Sequence, residues 1–263
     1  PAGVDAEYDG IEPWYGTDTH NSKLPNNTKA TVRIEATLAY GDGGSKKYLI
    51  ASLEQSLKRM GLAYVDLFYH HRPDTQTPLE ETADALEQIV RQGKALYIGL
   101  SNYNAEQTHA MLAELEVRGL RCLVHQMRYS MLAREPEQAL FAELHAHGVA
   151  SIAFSPLAQG LLTPKYLDGV PQESRMTAGH TSLKPEALTT ARLAQLQKLQ
   201  SIATARGQSL AQLALAWALR IGGADALIVG ARNPGQLLDS LGALHKVRMT
   251  EDEYQAIEQV LAE

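Results

Sequence analysis

The chain has 263 residues and a net charge of −6 with a sequence pI near 5.9, so nothing in its overall charge draws it to nucleic acid or to an anionic membrane. Hydrophobic residues make up 44% and charged residues 21%, an ordinary balance for a globular protein long enough to bury a sizeable core. A single cysteine, Cys122, excludes an intrachain disulfide and a cysteine-rich metal site, no apolar run approaches the roughly 20 residues of a membrane span, and the N-terminus lacks the basic-then-apolar order of a signal peptide, so a soluble cytoplasmic protein is expected.

Residues 1–44 are rich in Gly, Pro, Asn, Asp and Thr and show no period. From Ser45 the pattern sharpens. Ser45 can cap a helix whose stripe is Leu49, Leu53, Leu57 and Met60, ended by Gly61. Tyr64 to Tyr69 has strand character. Thr77 can cap a second helix with Pro78 at its first position and Glu80 closing a capping box, and Leu79, Ala83, Leu86 and Val90 supply its buried face. A strand over 95–101, a helix from Asn104 to about Arg118, a strand over 122–127, a helix from Pro136 to His147 and a strand over 149–155 follow. After a longer loop come helices near 188–206 and 209–220, a strand over 226–231, a helix over 233–243, and a last helix boxed by Thr250 and Glu253. This alternation predicts an α/β fold in which helices cover a parallel sheet. Periodicity alone leaves a closed barrel and an open doubly wound sheet both open.

Functional residues in parallel βα proteins gather where strands run into loops. Here those ends are polar: His70-His71-Arg72, Ser101-Asn102, Gln126 with Tyr129, Ser155-Pro156-Leu157, and Gly230-Ala231-Arg232. Taken singly, Ser and Asn at such places cap the next helix and a lone His is more often structural. Five polar ends together point to a site. There is no GxGxxG after a strand, and Gly41 to Lys46 lacks the Gly-Lys-Ser/Thr order of a P-loop. His145 and His147 would need ligands from elsewhere in the chain to hold a metal, and no metal is assigned.

The segments GGSKKYLIASLEQSLKRMGLAYVDLFYHHRPD, TPLEETADALEQIVRQGKALYIGLSNY, FSPLAQGLLTPKYLDG, GQSLAQLALAWAL and LIVGARNPGQL together resemble an aldo-keto reductase. They are most similar to the branch holding the bacterial L-glyceraldehyde-3-phosphate reductases and the potassium-channel β subunits. The resemblance is strong over 43–263 and poor over 1–44, and implies one domain over 1–263: a (β/α)₈ TIM barrel, with an N-terminal part too short for the family's first units. It also implies an NADPH-dependent oxidoreductase. His71 would orient the substrate carbonyl. Ser101, Asn102 and Gln126 would hold the nicotinamide carboxamide, and Tyr129 would stack on the nicotinamide ring. Ser155, Leu157, Gln159 and Gly160 would run along the pyrophosphate with Lys165 nearby. Gly230, Arg232 and Gln236 would meet the adenosine end, where an Arg suits the 2′-phosphate. Asp239 and Ser240 stand where the family has an acidic residue and an Asn.

The family's remaining catalytic residues are an Asp, a Tyr and a Lys. Tyr15, in a Tyr-Gly pair, matches the general acid. Asp9 lies six residues before it, where the family has five, and Lys29 in Thr28-Lys29-Ala30 matches the Lys. A Lys beside a Tyr lowers its pKa from about 10 and so readies its proton. A rival alignment places Leu38 on the Lys position and removes that system. The expectation is a reductase of small or phosphorylated aldehydes of the glyceraldehyde 3-phosphate or methylglyoxal type. The alternative is an NADPH-binding regulatory or channel-associated subunit with little catalysis. The expected partner is a small aldehyde, with neither nucleic acid nor membrane, and homo-oligomers are open.

Overall fold

The computed structural model describes residues 43–170 and 183–263. The chain divides into two compact units. The first runs to Gln126 and includes Glu143–Ala150; the second comprises Met127–Ala142 and Ser151–Glu263.

The first unit begins with helix α1 (Lys46–Met60). Ser45 caps it, its side chain accepting from the Tyr48 N–H, and Gly61 ends it at φ +66°, a left-handed turn that a residue with a Cβ adopts only at a cost. Tyr48, Leu49, Leu53 and Leu57 are buried against Ala85, Ile89 and Ala95. Met60, expected on the same stripe, is 46% exposed, because the helix ends before that turn is covered. Strand β1 (Val65–His70) pairs in parallel with β2 (Ala95–Ser101), with Val65 opposite Ala95 and His70 opposite Leu100. Between them lies α2 (Leu79–Arg91), which buries Thr82, Ala83, Ala85, Leu86 and Ile89. Its cap is a correction to the sequence reading: Pro78 is the N-cap and no side chain caps it. Thr77 instead donates its hydroxyl to Asp74 at 2.6 Å. Asn104 caps α3 (Ala105–Val117) in a reciprocal box with Gln107, which leads the chain into β3 (Cys122–Arg128). Ser101 of β2 lies opposite Gln126.

The second unit carries β4 (Ala150–Phe154) from Ser151 onward, and β5 (Ala226–Leu227), paired in parallel with Ile152 opposite Ala226. A staple holds their starts: Asp225 Oδ2 accepts from the Ser151 N–H and hydroxyl, both at 2.8 Å. β5 is two residues long where six were expected. The Ile228 N–H still reaches the Ala153 carbonyl at 2.9 Å, but the chain then turns away toward the next helix. Likewise the helix expected from Pro136 begins as a 3₁₀ turn at Glu135–Glu137, and α4 covers only Leu140–Ala146. Glu137 explains part of that change, since its carboxylate is held by Arg134, Tyr129 and Arg220. The remaining helices are α5 (Thr190–Ala205), α6 (Leu210–Ala218), α7 (Pro234–Gly242) and α8 (Glu251–Leu261). Eight of the nine residues of α6 are buried, all but the half-buried Gln212, as befits a helix apolar on nearly every side. Arg206 is buried near the start of α6. It donates to Gln208, to Glu253 and to the carbonyls of Lys246 and Arg248, so its charge is fully met. No helix among the described residues is long and apolar enough to cross a membrane.

Candidate functional site

Parallel pairing in register brings the C-terminal ends of β1, β2 and β3 to one edge of the first unit. Asn102 joins them. Its N–H donates to the Gln126 carbonyl at 3.0 Å, and its side-chain amide donates to the His71 carbonyl at 2.9 Å and the Ser101 hydroxyl at 3.1 Å. Ser101 and Gln126 are 1% and 2% exposed. His71 Nδ1 accepts from Arg72 Nε at 3.2 Å, so the neutral ring carries its proton on Nε2. His70 points the other way, into the interior, with its Nδ1 2.5 Å from the Tyr103 hydroxyl.

One participant is not evident from motif reading. Tyr69 hydrogen-bonds the Gln126 side chain; burial raises its pKa, and that bond pulls in the opposite sense. The ring crosses β2 over Gly99, where a built Cβ would lie 2.6 Å from a Tyr69 ring carbon. Gly99 is therefore the gap through which Tyr69 reaches Gln126. The glycine inside a strand was the available signal, since such glycines often mark close approach. The glycine-rich stretch at 43–46 has another use. The Gly44 N–H donates to Asp74 Oδ2 at 2.7 Å, and Thr82 donates to the Gly44 carbonyl at 2.9 Å. An amide already facing a carboxylate is no cradle for phosphate.

In the second unit, β4 runs into a tight loop. Ser155, Ala158 and Gln159 have φ of +55°, +48° and +58°, and Gly160 has +101°. Short bonds fold the loop on itself: Ala158 N–H to the Ser155 carbonyl at 2.9 Å and Gly160 N–H to the Leu157 carbonyl at 2.8 Å. Thr163 donates to the Gly160 carbonyl at 2.6 Å and caps the turn that carries Lys165, whose ammonium lies 5.7 Å from the Tyr166 ring centre. At the other end, Gly230 and Arg232 are exposed, and Gln236 turns back to accept from the Arg232 N–H at 2.9 Å. Asp239 is engaged inside the unit, accepting from Ser209 at 3.0 Å and Gln212 at 2.9 Å.

With Asn102 at +60°, Ser155, Ala158 and Gln159 complete the set of described non-glycine residues in the left-handed region. Each conformation costs roughly 1–2 kcal/mol for a residue with a Cβ, and such costs cluster at functional sites. Three of these four positions are among the sequence-derived site residues.

Tyr129 is a correction. Its ring stacks on Trp217 at 5.4 Å with Phe141 edge-on at 4.9 Å. Its hydroxyl lies between Glu137 and Arg220, each at 2.6 Å, and it is 0% exposed. This is a core residue with no face left for a cofactor ring. Burial raises its pKa. Asp9, Tyr15, Lys29 and the rival Leu38 lie outside the described residues.

Comparison with known proteins decides the family. Residues 19–262 match the family model described as Aldo/keto reductase family. The chain belongs to the aldo/keto reductases. It is 46% identical over 228 residues to an L-glyceraldehyde 3-phosphate reductase of Escherichia coli strain K12, covering 85% of this chain and 66% of that protein. It is 34% identical over 248 residues to a putative voltage-gated potassium channel subunit beta of Schizosaccharomyces pombe, covering 91% and 67%. The chain thus spans about two thirds of the length of the curated relatives it matches. Among solved structures it resembles a thermostable aldo-keto reductase, Tm1743, crystallised with the inhibitor epalrestat, at TM-score 0.64 and 26% identity over 82% of this chain and 67% of that one. The alternation of parallel strands and helices in this aldo/keto reductase agrees with the (β/α)₈ class expected from sequence.

Proposed function

We propose that this chain is an NADPH-dependent reductase of small aldehydes, of the glyceraldehyde 3-phosphate or methylglyoxal type. The observation that carries the reading is the coincidence of left-handed backbone at Asn102, Ser155 and Gln159 with the positions that family resemblance assigns to the cofactor. The reading takes residues 1–263 as one domain. The residues suit the cofactor's chemistry. Ser101 and Gln126 are buried hydrogen-bonding groups fixed at strand ends, fit for a carboxamide. The Ser155–Gly160 loop with Lys165 suits a pyrophosphate, and exposed Arg232 with Gln236 suits an adenosine carrying a 2′-phosphate. NADPH supplies the hydride when bound. The protein's part is position and proton supply: Nε2–H of His71 directs the substrate carbonyl, and Tyr15 gives its proton to the carbonyl oxygen, with Lys29 and Asp9 tuning it.

A second reading, a nucleotide-binding regulatory subunit, is favoured by the relative named as a channel subunit. One assay separates them: NADPH oxidation with glyceraldehyde 3-phosphate, methylglyoxal and related aldehydes, for the wild type and Tyr15→Phe. The expected result is turnover that falls by roughly 10²-fold or more in the variant, the scale of a lost general acid. Turnover that survives the substitution rejects Tyr15 as the acid. A folded protein that binds NADPH without turnover overturns the enzyme reading.

A further inference from the structure

Away from the strand ends, the first unit brings together three side chains that the reductase reading does not use. Glu143 lies on α4 and His147 follows one helical turn later, its N–H donating to the Glu143 carbonyl at 3.3 Å. That spacing sets the two side chains on one face. His109 comes from α3. Its Nδ1 lies 2.9 Å from Glu143 Oε1, and His147 Nε2 lies 3.0 Å from the same oxygen. The rings stand 5.9 Å apart at 73°, and the three donor atoms all fall within 4.8 Å of one another.

We propose that His109, Glu143 and His147 form a binding site for a divalent transition-metal ion, with zinc the best match. Two imidazole nitrogens and one carboxylate oxygen are the donor set of a three-ligand zinc site, with the fourth position left to water. Zinc bonds of about 2.0–2.1 Å in a tetrahedron place donor atoms roughly 3.3 Å apart. The present 2.9 and 3.0 Å spacings need a small outward movement, and the two ring nitrogens, within 4.8 Å of each other, settle to the same separation. The His109 and His147 side chains are 66% and 37% exposed, so both can make that movement and water can complete the coordination. Imidazole donors favour zinc, nickel or copper over magnesium and calcium, which prefer oxygen. The sequence signal is half visible: His147 stands beside His145 in the sequence, but its partners are Glu143 one turn earlier and His109 on another helix. The ion would tie α3 to α4 and stabilise the fold by mass action.

The test is calorimetric titration of the full chain with zinc chloride alone, in a non-chelating buffer near neutral pH, with cobalt(II) absorption as the coordination readout. One ion per chain is expected, with the visible bands of a four- or five-coordinate cobalt site. His109→Ala and Glu143→Gln should each weaken binding by about ten-fold or more, while His145→Ala leaves it unchanged. Far-UV circular dichroism checks that the variants fold. No binding below millimolar zinc, or binding indifferent to His109→Ala, overturns the proposal and leaves the trio as an ion-pair cluster. Neither result bears on NADPH or aldehyde turnover.

Discussion

Gly99 shows how a residue with no side chain can set a site. It sits opposite Tyr69 and Val124 in register, and its missing Cβ is the space the Tyr69 ring occupies. Gly99→Ala should push that ring off β2, break its bond to Gln126 and weaken NADPH binding by roughly ten-fold, the loss of about 1.4 kcal/mol of positioning. Titration of cofactor fluorescence measures this, and unchanged affinity would show that Gln126 needs no support from Tyr69. The polar strand ends were legible in sequence because a parallel sheet places them together once pairing is known. The use of each side chain was less legible. Tyr129 follows a polar strand end and reads as a ligand for a ring, yet Arg220, Glu137 and Trp217, all distant in sequence or on another element, claim it. Motif order carries no information about such competitors.

Helices were legible where their ends are written in local chemistry. Ser45 with Gly61, Asn104, and Thr250 with Glu253 all act as read, the last as a reciprocal box. Elements shaped by distant partners were not: α4 starts late and β5 ends early. Helix α6 joins both kinds of control. Ser209 caps it in a box with Gln212, and both side chains also hold Asp239 of α7. Gly242 lets α7 come close, since a Cβ there would lie 2.4 Å from Gln212 Nε2. Ser209→Ala removes the cap and a bond to a carboxylate at once, so a loss of about 2 kcal/mol is expected, at the upper end for caps. Urea denaturation checks it, and a loss under about 0.5 kcal/mol, the range of ordinary surface substitutions, would mean that water replaces the hydroxyl. The same contacts explain why Asp239 is not available to an adenine, whatever the family pattern at that position.

For the whole molecule, stability should fall in two separate steps as pH drops. His125 is fully buried and neither ring nitrogen makes a hydrogen bond of good geometry. Burial pushes its pKa down from 6.5 to about 4, against a weaker opposing pull from the Tyr103 backbone. The unfolded chain takes up this proton below its ordinary value and the folded chain does not. The stability it confers is therefore complete above about pH 6.5 and is lost as pH falls toward about 4, roughly 3 kcal/mol in all. Denaturation midpoints near neutrality and near pH 5 should differ clearly in the wild type and less in His125→Phe; equal differences would sink the assignment. Glu137 acts lower. Burial opposes its charge, but bonds from Arg134, Tyr129 and Arg220 outweigh that and hold its pKa below the ordinary 4.5. Its contribution is present above that value and disappears only as pH falls through the depressed one. At this scale the α/β class was legible from alternation alone, whereas the choice of barrel over open sheet rested on the family's motifs. Period cannot distinguish two ways of covering the same strands.

The packing around Trp217 has an optical consequence. The indole is fully buried, stacked on Tyr129, and covered by the Arg220 guanidinium at 3.8 Å and that of Arg134 at 5.1 Å. The chain has two tryptophans, and the other, Trp14, lies outside the described residues. The second unit thus holds a native chromophore in a dry, cation-lined slot. Any loosening of Tyr129, Arg220 or Glu137 admits water to that slot and shifts its emission to the red, so the core reports its own integrity without a label.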